Sequence, residues 1–319
     1  ELAPLLAGDI YVPASTALLS CAGGRCELDG VALDFDPLSP REHRCPRCGR
    51  SYAGELHHRW WIYSYQLWLA ERGVHAALLY FLRGDKRHAR LARDISLRYA
   101  AAYASYPNRD NVLGPSRLFF STYIESIWLL QLCITADLLE TAGDSATANE
   151  VRERIVRPSV ELIAGFDEGF SNRQVWNNAA LMAAALLLGD RAGAEHQVRA
   201  VSGVEAHLAQ GLLDDGTWYE GENYHLFAHR GLWYCVVMAE MAGMAIDPAL
   251  LARFNEGFAT PFVTALPDFT LPSRKDSQYA ISLQQWRFAE LCELGLARGP
   301  DDRLSGALAR LYSAETPLA

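Results

Sequence analysis

From His57 onward apolar and aromatic residues return every three or four positions, and this period constrains the fold more than any other feature of the chain. It predicts helix after helix, the first running from His57 to Arg72 and stopping at Gly73. Further breaks fall at Gly84, Gly143, Gly165, Gly189, Gly211 and Gly243, where a glycine just past a helix end suits a left-handed cap. The four from Gly143 to Gly211 lie 22 to 24 residues apart, which fits helices of roughly four to five turns packed as antiparallel hairpins. Strand-like alternation is weak outside residues 8–12 and 26–36. The body is therefore expected to be all-α. No consensus repeats at a fixed period, so an open solenoid is less expected than an α/α toroid, an incomplete barrel of helical hairpins whose inner helices line a cleft.

Of the 319 residues half are apolar and 21% charged, enough to bury a large core in one large domain or two smaller ones. Lys and Arg number 29 against 38 Asp and Glu, a net charge of -9, which argues against a surface that holds nucleic acid by counterion release. An anionic ligand must then be gripped locally. No uninterrupted apolar run reaches the roughly 18 residues of a membrane span, so no membrane partner is expected. The chain begins at Glu1 rather than Met, consistent with a removed initiator, signal peptide or longer leader.

Residues 1–56 differ from the helical part, 57–319: they carry Gly, Pro and four of the seven Cys without a sustained helical period. Cys21-x4-Cys26 is followed 18 residues later by Cys45-x2-Cys48, written CPRCG. Two short-spaced thiol pairs with glycine-containing turns match the knuckles of a zinc ribbon, with Cys21, Cys26, Cys45 and Cys48 as ligands and His43 as an alternative. Four protein ligands leave no position for water, so the zinc is expected to be structural, stapling a segment with little core of its own. Two disulfides or separate buried thiols are the competing readings. Thiol-rich zinc ribbons persist most easily in reducing compartments, which favours a cytoplasmic location over a secreted or periplasmic one. Cys133, Cys235 and Cys292 sit in apolar helical stretches and read as core.

Four segments carry candidate chemistry. FSNRQVWNNAALMAAALLLGD, residues 170–190, opens polar and becomes an almost uniformly apolar helix, buried on all sides, with Trp176, Asn177 and Asn178 at its start. Two adjacent Asn there allow one amide to cap the helix while the other faces a ligand. DDGTWYEGENYHLFAHRGLWYC, residues 214–235, is the densest set of reactive side chains: Trp218, Tyr219, Glu220, Glu222, Tyr224, His225 and His229, with a helix from about Glu222 to near Gly243. Its aromatics serve either as core or as a stacking floor for sugar rings. His225 and His229 share a helical face at metal-ligand spacing, but no third ligand accompanies them. LGPSRLFFSTYIESIW, residues 113–128, carries Arg117, Tyr123 and Glu125, and the polar turn LPSRKDSQY, residues 271–279, carries Arg274, Lys275 and Asp276. Arg117, Arg274 and Lys275 are the cations placed to meet an acidic ligand.

WNNAAL before an apolar helix, followed about 40 residues later by DGTWYEGENYH and another helix, resembles the α/α-toroid domain of the heparinase II/III-like polysaccharide lyases. The resemblance covers roughly residues 60–290, and EG-x-x-Y-H is its most specific element; a lead-in ending in CPRCG is similar to that of some bacterial members. It implies β-elimination at a uronic acid: the carboxylate is neutralised, the proton beside it is removed, and the glycosidic oxygen leaves. Asn177 or Asn178 would then neutralise the carboxylate, Tyr224 would act as acid and base, and His225 would stand beside it as a second candidate. Trp176, Trp218, Glu220, His229, Arg117, Arg274 and Lys275 complete the expected substrate contacts. Ala179 stands where several relatives carry a His. Relatives also continue into a β-sandwich that adds a His to the cleft, so these 319 residues are expected to be a fragment or a form lacking that half.

The leading expectation is therefore a lyase acting on an acidic poly- or oligosaccharide. The same body used for glycoside hydrolysis would need two of Asp214, Asp215, Glu220 and Glu222 facing each other across a cleft, although all four lie within nine residues. A non-catalytic carbohydrate-binding or scaffold protein is the third reading.

Overall fold

The computed structural model describes residues 2–18, 23–107, 113–275, 281–313 and 318. The described residues are mostly helical and fall into two compact units, one of Glu1–Asp167 with Ala183–Asp190, the other of Glu168–Met182 with Arg191–Ala319. The Cys-rich segment groups with the first set of helices.

The first unit contains α1 (Ala3–Ala7), α2 (Glu55–Arg83), α3 (Lys86–Ala102), α4 (Thr122–Thr141), α5 (Ser145–Val151) and α6 (Arg157–Ala164), the last two joined by a π turn over Arg152–Val156. Its two short strands, β1 (Glu42–Arg44) and β2 (Ser51–Ala53), pair antiparallel with Arg44 opposite Ser51. Helix α3 shows why the three- and four-residue period folds as it does. Leu91, Ala92, Ile95, Ser96, Tyr99 and Ala100 are its buried face, and the Asp85 carboxylate caps it by accepting the Arg87 N–H at 2.9 Å. α2 packs on both α3 and α4. It does not stop at Gly73 but continues to a left-handed cap at Gly84, φ 70°. A Cβ on Gly73 would stand 3.3 Å from Thr135 Oγ1 and 3.6 Å from Ile95, so this glycine admits the neighbouring helices rather than ending its own. α4 is long and apolar enough to cross a membrane by length and composition, but most of it is buried within the unit, as a core helix is.

α7 (Asn172–Leu187) begins in the second unit and ends in the first. The second unit also holds α8 (Arg191–Arg199), α9 (Val204–Gly211), α10 (Glu222–Met241), α11 (Pro248–Glu256), α12 (Thr260–Val263), α13 (Trp286–Arg298) and α14 (Asp302–Ser313). Left-handed glycines follow at Gly143, Gly189 and Gly243 as expected, whereas Gly165 is right-handed at φ −74° and Gly211 is the last residue of α9. The second unit is centred on fully buried Trp218, Phe254, Phe258 and Phe288. Cys133 in the first unit, and Cys235 and Cys292 in the second, are buried.

Candidate functional site

The amide-rich start of α7 and the aromatic start of α10 lie side by side in the second unit. Glu220 ties them, its Oε2 accepting from Asn172 Nδ2 at 2.6 Å and from Trp218 Nε1 at 2.7 Å. Further along, Trp176 Nε1 donates to the Phe227 carbonyl at 3.1 Å, and Gly231 admits Val175 and Trp176.

α7 begins at Asn172, earlier than the apolar run suggests, which places Asn177 and Asn178 inside the helix rather than at its cap. Both are enclosed, at 0% and 2% exposure. Asn178 Oδ1 accepts from Gln174 Nε2 at 2.9 Å, and its Nδ2 donates to the Ser202 carbonyl at 2.7 Å. Asn177 Nδ2 reaches Gln174 Oε1 at 3.2 Å, and its amide also bonds the Glu168 carboxylate, which Arg173 pairs. Burial raises the pKa of Glu168 against the pull of Arg173. Glu168 carried no signal in the sequence, being one acidic residue in a polar turn.

At α10 the chain turns through Gly221 at φ 104°, a conformation that favours glycine, and enters the helix at Glu222. Tyr224 is half-buried on the first turn. His225 is fully buried with both ring nitrogens engaged: the Trp218 N–H donates to Nδ1 at 3.0 Å, so Nε2 carries the proton and donates to the Gly257 carbonyl at 2.8 Å. Burial pushes its pKa down to about 4, against the smaller opposing effects of the Gly257 bond and Asp215. The ring thus ties the start of α10 to the backbone at Trp218 and Gly257. His229 lies 5.0 Å from His225 beside Phe254 and Phe258, fully buried and, among the described residues, with no hydrogen-bond partner at either nitrogen, and burial drives its pKa well below the ordinary value.

The loop at residues 271–275 reaches this segment. Arg274, 58% exposed, ion-pairs with the buried Glu222, and Lys275 Nζ donates to the Tyr219 carbonyl above the Tyr219 ring. Asp276 lies outside the described residues. Trp176 and Trp218 are 4% and 0% exposed, and Trp218 stacks on His207 and Phe170, so both rings are core and no sugar-stacking floor. Arg117 belongs to the first unit, in the loop before α4 rather than in the helix: its Nη1 donates to the Tyr106 carbonyl at 2.8 Å, and its backbone N–H to buried Glu125 at 3.0 Å. The four clustered carboxylates form no facing pair. Glu220 and Glu222 are held as above, Asp215 accepts the Thr217 N–H at 2.9 Å, and Asp214 is fully exposed beside Arg253.

A second cluster lies in the first unit. Among the described residues, Cys26, Asp29, Cys45 and Cys48 bring one donor atom each to within 4.8 Å of the others, and no other His, Cys, Asp or Glu joins them. Cys21 lies outside the described residues, and His43 packs edge-on to Trp60 with its centroid 5.3 Å away. The paired-thiol spacing does not point to Asp29.

An all-α body with an EG-x-x-Y-H helix start is the class that fold and motif define together. No protein-family profile matches the chain. It is similar to an alginate lyase of Stenotrophomonas maltophilia (strain K279a), 26% identical over 175 residues, covering 52% of this chain and 23% of that protein. It is also similar to an exo-oligoalginate lyase of Saccharophagus degradans, 26% identical over 166 residues, covering 48% of this chain and 22% of that protein. The matched stretch thus spans under a quarter of either relative's length. These likenesses support polysaccharide lyases as a group without singling out the heparinase II/III-like branch.

Proposed function

We propose that this chain carries the elimination site of a lyase acting on uronate-containing poly- or oligosaccharides, with alginate the first polymer to test. The observation that carries the reading is the strap of two cations at the entry to the tyrosine helix: Arg274 on Glu222 and Lys275 on the Tyr219 carbonyl, two and five residues before Tyr224. In a chain of net charge -9 that is a local grip for a carboxylate. The relatives named for alginate, a polymer of uronic acids, agree with it. The toroid arrangement belongs to the same reading and rests on the resemblance.

In this mechanism the sugar carboxylate binds Arg274 and Lys275. The adjacent carbon loses its proton to the Tyr224 oxygen, the electron pair forms the new C=C bond, and the glycosidic C–O bond breaks. The same phenol returns the proton to the leaving oxygen. Cations and amide donors aimed at the carboxylate stabilise the enolate-like charge, each worth roughly 10²–10³ in rate. Asn177, fully enclosed and bonded to Gln174 and to the Glu168 carboxylate, braces the start of α7, so Arg274 and Lys275 are the groups that meet the sugar acid. Asn178 and His225 hold α7 and α10 in place.

The test is incubation of the natural full-length protein with alginate, heparan sulfate, hyaluronan and glucuronan. Elimination yields ultraviolet-absorbing unsaturated uronate, and Tyr224→Phe is expected to lower that rate by about 10²–10⁴ with the fold intact. New reducing ends without the chromophore would make the enzyme a hydrolase, silence with retained binding would make it a scaffold, and an unchanged rate in Tyr224→Phe would remove the assigned role.

A further inference from the structure

The turn at Cys45-Pro46-Arg47-Cys48-Gly49 has a twin at Cys26-Glu27-Leu28-Asp29-Gly30. In the first, the Cys45 N–H donates to the Arg50 carbonyl at 2.9 Å, the Cys48 N–H to Cys45 Sγ at 3.4 Å, and the Gly49 N–H to the Cys45 carbonyl at 3.0 Å. In the second, the Cys26 N–H donates to the Val31 carbonyl at 2.9 Å, the Asp29 N–H to Cys26 Sγ at 3.4 Å, and the Gly30 N–H to the Cys26 carbonyl at 2.9 Å. The glycines match, Gly49 at φ 74° and Gly30 at φ 66°. So do the flanks: Arg44 pairs antiparallel with Ser51, and Arg25 with Ala32, each pair one residue before and six after its first cysteine. The two turns are one structure written twice, and Asp29 occupies in one the place that Cys48 occupies in the other.

We propose that Cys26, Asp29, Cys45 and Cys48 are the four ligands of a structural zinc ion, a site of three thiolates and one carboxylate in which Asp29, and not Cys21, supplies the fourth donor. The spacing fits the ion. Zn–S bonds of about 2.3 Å and Zn–O bonds of about 2.0–2.2 Å in a tetrahedron place sulfurs about 3.8 Å apart and sulfur and oxygen about 3.5 Å apart. Cys26 Sγ and Cys48 Sγ are 3.7 Å apart, and Asp29 Oδ2 stands 3.4 Å from Cys45 Sγ and 3.6 Å from Cys26 Sγ. The cysteines are free, and three thiols beside a carboxylate do not divide into disulfides.

The second layer is in place as well. The Glu27 N–H donates to the Tyr52 hydroxyl oxygen at 3.0 Å, which leaves the phenolic hydrogen for Cys26 Sγ at 3.1 Å. With the backbone N–H groups on Cys26 and Cys45, these donors stabilise thiolates once binding releases the three thiol protons. Thiolates suit zinc over magnesium or calcium, and four protein ligands leave no open position for catalysis. The ion would join Arg25–Ala32 to β1 and β2.

The experiment uses the full chain purified under reducing conditions. Metal analysis is expected to find one zinc per chain. In the cobalt-substituted protein the thiolate-to-metal charge-transfer band should report three thiolates. Asp29→Ala should weaken zinc by more than the roughly 10–100-fold that loss of an outer partner brings. Should that variant fail to fold, Asp29→Cys keeps the test open: it should retain the metal and raise the band by roughly a third, four thiolates in place of three. Cys21→Ser should change neither metal content nor band. The proposal is overturned if the wild-type protein binds no zinc, if Cys21→Ser lowers the band or releases the metal, or if Asp29→Ala holds zinc as tightly as the wild type.

Discussion

Acid should weaken the second unit through His225, and the size of the effect follows from its surroundings. The ring is fully buried, bonded at both nitrogens, and held with a pKa of about 4 against an ordinary 6.5. Above pH 6.5 the imidazole is neutral in folded and unfolded chains alike, and it adds no pH dependence. As the pH falls below 6.5 the unfolded chain takes up the proton that the folded chain refuses. Folding then loses about 1.4 kcal/mol per pH unit until the folded pKa near 4 is reached, or about 2 kcal/mol at pH 5. His225→Asn removes the titration while an amide oxygen stands in for Nδ1. It loses the bond to the Gly257 carbonyl, which costs about 1–3 kcal/mol at pH 7. The gap between wild type and variant should therefore narrow by about 2 kcal/mol from pH 7 to pH 5 in urea unfolding followed by tryptophan fluorescence. Buried Glu125 and Glu168, whose raised pKa values have the opposite sign, are present in both proteins and cancel, as does His229. A gap of equal width at both pH values would show that His225 is not held neutral, and the positioning role would fall with it.

Two further outcomes follow from packing. His229→Phe replaces an enclosed ring with two unpartnered nitrogens by an apolar one beside Phe254 and Phe258, and it should stabilise by about 1–2 kcal/mol in thermal unfolding without loss of the proposed elimination activity. A folded variant without activity would mean instead that the imidazole meets substrate. Gly211→Ala would put a Cβ 2.2 Å from Trp218 Cζ3, in a fully buried ring tied to Glu220, and should destabilise by about 1–3 kcal/mol or more; an unchanged melting temperature would contradict that packing.

Some elements were readable because local chemistry and burial point the same way. The expected helix from Glu222 to near Gly243 is α10, Glu222–Met241, since a Gly entry and an apolar face define it without help from elsewhere. Gly73 misled because a glycine selected for a close helix contact looks in one dimension like a glycine selected for a cap. The switch from polar to apolar residues puts Asn177 and Asn178 at a helix start, but the helix takes in the five residues before them, and their amides bond Gln174, Glu168 and the Ser202 carbonyl. Asp29 was in plain view in C-x2-D-G, but a search for paired thiols passes over a carboxylate at the same step.

Helix period, the positions of most breaks, the Cys-rich lead-in and the residues rich in chemistry are properties of the chain itself, because backbone hydrogen bonding and side-chain polarity act between near neighbours. Which of those side chains faces a ligand and which braces its neighbour depends on groups distant in the chain. His225 meets Gly257, Glu222 meets Arg274, and Cys26 meets Cys48 only through tertiary contact. A buried polar atom must take whatever partner packing brings within about 3 Å, and packing alone selects that partner.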